Sequence, residues 1–146
     1  LEWNDGENMS SPVFSVASLY PFFMGISEQC EKTVAWFKEK ILTEYGAAAC
    51  ERKTYSYDLQ WDYPYIWAPL QYISYMTLKK CGYNALAEKT AMAYMKLIDG
   101  NFTETGTLWE KYSGIDGRVA NADYNAPKMM GWTAGVYMFL RRELYE

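Results

Sequence analysis

The sequence predicts an all-α fold built of α/α hairpins, and three observations carry that prediction. Four stretches show apolar residues at helical spacing, Gly46 and Gly82 stand where two of those stretches end, and little of the chain reads as sheet. At 146 residues, 50% apolar and 22% charged, the composition is that of one globular unit with a real core. Residues 1–146 are therefore read as a single helical region.

The elements follow in order. Residues 13–26 are almost wholly apolar around Pro21, which opens a helix in its first turn and kinks one elsewhere. From Glu28 to about Tyr45, residues Cys30, Val34, Phe37 and Ile41 fall on one helical face. Ser27 suits the cap, Glu28 and Glu31 the positive end, and Gly46 a left-handed stop. Ile66 to Cys81 predicts a second helix, with Pro69 in its opening turn and Gly82 beyond its end. Its apolar residues cover most of the circumference, so burial on more than one side is expected. Asn84 then caps a third helix to about Ile98. Its inward stripe is Ala87, Ala91, Tyr94 and Ile98, and its wet face Glu88, Lys89 and Lys96. The last helix runs from Trp132 to about Leu144, with Val136, Phe139 and Leu140 as core residues. Two long connections separate these elements, 51–65 and 103–130, the second punctuated by Gly106, Gly114 and Gly117. Loops of that length in a compact domain are usually functional.

Composition also excludes. A net charge of −4 and the lack of a basic run argue against nucleic acid or an anionic membrane as partner. No apolar stretch reaches transmembrane length, and the first residues do not read as a signal peptide. The absence of histidine removes imidazole bases, His-containing zinc sites and Ser-His or Cys-His nucleophiles within this chain. No metal or organic cofactor is expected: the cysteines are not clustered, and no calcium-spaced acidic loop occurs. Gly114-Ile115-Asp116-Gly117 also lacks the spacing of a phosphate cradle. Cys30, Cys50 and Cys81 read as small buried thiols, which leans towards a reducing, cytoplasmic compartment. Glycosylation triplets at Asn8 and Asn101 lean the other way and leave the compartment open. Aromatic residues reach 18%, which fits either a ring-packed helical core or a groove that stacks on sugar faces.

The chemistry concentrates in Gln60-Trp61-Asp62-Tyr63-Pro64-Tyr65-Ile66-Trp67-Ala68-Pro69. A carboxylate and an amide between indoles suit sugar hydroxyls, with the rings covering C–H faces. The alternative is a Pro-rich turn whose Trp residues anchor a helix start that Asp62 caps. This string closely resembles the QWDxPxxWxP signature of the trehalases, glycoside hydrolase family 37. Ala17 to Phe23 looks like the short helical segment that precedes it. Leu108-Trp109-Glu110-Lys111-Tyr112 resembles the family's EKY block, and Gly131-Trp132-Thr133-Ala134-Gly135-Val136 its GWTNGV block, all in family order.

The resemblance implies an inverting glycosidase built as an (α/α)6 toroid or barrel, of which this chain is the C-terminal part, about half. The implied substrate is a disaccharide, trehalose or a related α-glucoside. Glu110 maps onto the general base, and Gln60, Trp61, Asp62, Trp67 and Trp132 onto the pocket. Asp123 stands where the family carries a glutamate before a tyrosine. It is one methylene shorter, the preceding glycine run is missing, and Met129-Met130 replace Gly-Phe. The family's general acid belongs to an upstream Gly-Trp-Asp block that these residues lack. The chain is thus expected to need the N-terminal part of the catalytic domain for activity. Two other readings are a family 63-like α-glucosidase and a non-catalytic sugar-binding or structural helical module. Convergence of Glu110, Asp62 and Asp123 on one open concave surface lined by Trp61 separates the catalytic and sugar-binding readings from a purely structural role.

Overall fold

A computed structural model describes residues 3, 4, 6, 8–10, 13–26, 28–52, 59–121, 124–128 and 131–146. Among them, five α-helices set the architecture: α1 (Tyr20–Phe23), α2 (Cys30–Trp36), α3 (Ala68–Lys80), α4 (Asn84–Thr105) and α5 (Gly131–Tyr145). Six short strands pair as antiparallel two-stranded ladders. These are β1 (Trp3–Asn4) with β2 (Met9–Ser10), β3 (Leu42–Thr43) with β4 (Gly46–Ala47), and β5 (Tyr65–Trp67) with β6 (Lys111–Ser113). The chain is mostly helical as expected, and the ladders are an addition that apolar periodicity did not announce.

Helix α3 lies at the centre, packed against α1, α4 and α5. Its buried residues include Leu70, Gln71, Ile73, Ser74 and Leu78, so it has no single wet face, in line with its apolar spread. Pro69 occupies its first turn, where no amide donor is missed, and Gly82 follows it at φ +81°. Helix α4 buries Ala87, Ala91, Tyr94 and Ile98 and exposes Glu88, Lys89 and Lys96. Asn84 is its first residue rather than its cap, a position that Tyr83 takes. The helix also continues past Ile98 to Thr105 and stops at Gly106, φ +69°. In α5, Leu140 is buried, whereas Val136 and Phe139 are partly covered. Phe139 meets the rings of Tyr72 and Tyr75 edge-on at 4.9 and 6.0 Å.

The first half departs more from expectation. Val16–Leu19 form a 3-10 turn that runs into α1, and Pro21 sits in the opening turn of that helix. Helix α2 ends early, passing at Phe37 into one π turn, Phe37–Ile41. Val34, Phe37 and Ile41 are buried as predicted. Ser27, the expected cap, lies outside the described residues, and Gln29 precedes the helix at φ +62°. Gly46 does not stop a helix: it is the first residue of β4, at φ +127°. A β-carbon there would stand 2.8 Å from Gln71 Oε1. That oxygen accepts from Ala47 N at 2.8 Å, and Gln71 Nε2 donates to Ala47 O and Trp67 O. Gly46→Ala is therefore expected to destabilise the protein by about 1–3 kcal/mol, read as a lower denaturation midpoint, because strain and displacement of a buried clamp coincide.

The cysteine expectation is corrected. Cys30 and Cys81 form a disulfide that ties the start of α2 to the end of α3. Only Cys50 is a buried thiol, donating to Glu51 O and accepting from Tyr63 N. Asn101 is enclosed in α4, where its amide donates to Leu97 O and Gly117 O, so its triplet offers no acceptor in the folded chain. No helix among the described residues is long and apolar enough to cross a membrane.

Candidate active site

The site is built on the β5–β6 ladder. Aromatic and β-branched residues suit the pleated pairing of Tyr65 with Ser113, Ile66 with Tyr112 and Trp67 with Lys111. The signature string thereby enters as β5 and leaves as α3, while the Glu-Lys-Tyr block becomes β6. Beyond β6, Gly114 N donates to Pro64 O at 2.7 Å, and a β-carbon on Gly114 would come within 2.9 Å of that oxygen. Only glycine lets the two backbones approach so closely. Two segments far apart in sequence are held side by side, with Glu110 directly before the ladder.

Trp67 organises the rings. It has no exposed surface, and its Nε1 donates to Gln60 O at 3.1 Å. Trp61 stacks on it at 4.1 Å and 17°, and Trp132 meets it edge-on at 5.7 Å and 88°. Trp61 is 45% exposed, with one ring face covered by Trp67. Trp67, also expected in the pocket, offers no surface of its own and acts as the buttress behind Trp61. Trp132 is half-buried in the first turn of α5, and its Nε1 is buried without a partner among the described residues. The adjacent Thr133 donates to Trp109 O at 2.8 Å, which ties α5 to the loop carrying Glu110. In that loop Trp109 N donates to Tyr112 OH at 3.0 Å. Burial pushes the Tyr112 phenol up to about 12, against the pull of that bond, so it remains neutral.

Asp62 is 7% exposed, and its Oδ2 accepts from Leu59 N at 3.3 Å. Its carbonyl accepts from Tyr65 N at 2.9 Å. Asp62 thus closes the turn before β5 and does not cap α3, whose cap position is Trp67. Glu110 is half-buried, with its amide donating to Pro127 O at 3.2 Å. Its Oε2 accepts a hydrogen bond from Tyr124 OH, which in turn accepts from Gln60 Nε2 at 3.2 Å. Gln60, Trp61, Trp67, Trp132 and Glu110 therefore belong to one connected network. Asp123 lies outside the described residues, as do Met129 and Met130.

Two residues of the network were not singled out from sequence, Tyr124 and Lys111. Lys111 has no exposed surface, and its ammonium sits 3.9 Å over the Tyr124 ring, 4.4 Å over Tyr65 and 5.5 Å over Trp67. The available signal was adjacency: Lys111 follows Glu110, and Tyr124 follows Asp123.

Fold and site together define a class: helical hairpins whose connecting loops gather a carboxylate and an amide among indole and phenol rings. A Trehalase family model matches residues 2–144, and the chain belongs to the trehalase family. Its structure is similar to neutral trehalase Nth1 from Saccharomyces cerevisiae, with a TM-score of 0.79 and 23% identity over 96% of this chain. That match places the chain in the helical toroid class. It covers 25% of the yeast protein, so the chain spans about a quarter of that relative's length.

Proposed function

We propose that this chain is the C-terminal portion of a trehalase-like (α/α)6 catalytic domain, contributing the general base and an aromatic wall to inverting hydrolysis of α,α-trehalose. The observation that carries this reading is the Gln60–Tyr124–Glu110 link. It joins the signature loop to the carboxylate of the Glu-Lys-Tyr block, two features that the sequence presents separately.

In the proposed reaction Glu110 takes a proton from a water whose oxygen attacks C1 of one glucose. The C1–O bond to the second glucose breaks, and that oxygen receives a proton from a carboxylic acid on the opposite face. The two carboxyl groups of such a pair stand about 6.5–9.5 Å apart, which leaves space for the water. The exposed face of Trp61 stacks on sugar C–H bonds, while Gln60, Asp62, Asp123 and Trp132 shape the pocket. The acid is assigned to residues outside these 146, since no Gly-Trp-Asp block occurs among them. These residues alone are accordingly expected to be inactive on trehalose.

The test is the anomeric form of the first glucose released by the full-length protein, followed by NMR before mutarotation. Inversion converts the attacked sugar to β-glucose and leaves its partner as α-glucose, so equal amounts are expected. Release of α-glucose alone would mean retention and would overturn the mechanism. Cleavage of other α-glucosides with trehalose untouched would favour the family 63-like reading instead.

A further inference from the structure

Resting on the assignment of Glu110 as base, we propose that Tyr124 is the positioning residue for that carboxylate, and that Lys111 acts through Tyr124 by fixing its ring. Glu110 has two oxygens, and Oε2 is engaged by the Tyr124 hydroxyl. That leaves Oε1 as the oxygen to face the attacking water. A general base has to lie within about 2.6–3.2 Å of the atom whose proton it takes. A glutamate free to rotate about its side-chain bonds loses much of that alignment, and a fixed second oxygen restores it.

The hydroxyl itself is oriented from the other side. Gln60 Nε2 donates to it at 3.2 Å, so its own proton is directed to Glu110. Acceptance from Gln60 also polarises the phenol and strengthens the bond it donates.

The ring beneath the hydroxyl is held by Lys111. The ladder sets this ammonium opposite Trp67, and Tyr65 lies two residues before Trp67 on the same face of β5. Tyr124 comes from a separate segment and meets the same cation at 3.9 Å. Enclosing an ammonium is costly, and three ring faces offset part of that cost. Lys111 thus transmits the register of the ladder to Tyr124, and Tyr124 transmits it to Glu110.

In the full-length protein, Tyr124→Phe removes one oxygen and keeps the ring on Lys111. It is expected to lower kcat on trehalose about 10–100-fold, as for a lost hydrogen bond to a charged group. KM should change little, so that the loss falls on kcat. Lys111→Met should act in the same direction, with the double variant no slower than Tyr124→Phe alone. Thermal melting separates a folding loss in Lys111→Met from this effect, and Tyr124→Phe carries the test by itself. Unchanged kcat in Tyr124→Phe, with Glu110→Gln inactive, would overturn the positioning role. Fully additive losses would overturn action of Lys111 through Tyr124. Full activity in Glu110→Gln would instead overturn the base assignment, and this proposal with it.

Discussion

Glu110→Gln in the full-length protein is expected to lower kcat on trehalose by about 10²–10⁴-fold, the usual contribution of a general base. The substitution keeps the shape of the side chain. Its amide oxygen can still accept from Tyr124 OH, and the backbone bond from Glu110 N to Pro127 O is untouched. What disappears is the capacity to take a proton from water. The effect should therefore fall on kcat, with KM and the melting temperature close to those of the unaltered protein. Steady-state kinetics beside a thermal melt read both quantities. A variant that kept normal kcat would remove Glu110 from the chemistry, and the Gln60–Tyr124–Glu110 link would then be a fastening between loops.

Legibility in the sequence followed the range of the signal. Helices α3 and α4 were readable because apolar spacing, Pro69 and Gly82 are local features. The far end of α4 was missed because Gly100 and Asn101 are weak helix formers. Tertiary context overrides them: the Asn101 amide reaches both Leu97 O and Gly117 O. The β5–β6 ladder left no pattern, since each strand is three residues long and its partner lies far along the chain. In the site, the block resemblance singled out Glu110, Gln60 and Trp61. It could not tell that Trp67 is enclosed and Trp61 open, because packing from β6 and α5 decides which indole keeps a free face. Lys111 was missed for a related reason. A lysine in a loop reads as solvated, and its burial makes sense only once three rings from distant segments converge on it.

The Cys30–Cys81 bridge carries the second large expected effect. Its partners are 51 residues apart, and the sequence offered no reason to pair these two rather than either with Cys50. Closing a loop of that length restricts the unfolded chain by about 4 kcal/mol in the chain-entropy description. Cys30→Ser combined with Cys81→Ser is therefore expected to lower unfolding free energy by about that amount, measured by denaturant titration. The loss should begin at α2. Cys30 is the first residue of that helix, Gln29 before it stands at φ +62°, and Val34 is its one buried residue. Amide exchange should accordingly quicken over residues 29–36 before it does in α3 or α4, whose buried faces are long. Reducing the unaltered protein should bring its titration onto that of the double variant. Before reduction the folded protein should leave Cys50, enclosed between Glu51 and Tyr63, unlabelled by a thiol reagent. After reduction, labelling at Cys30 and Cys81 should accompany the drop in stability. Equal denaturation midpoints with and without the bridge would mean that packing alone holds α2 against the core.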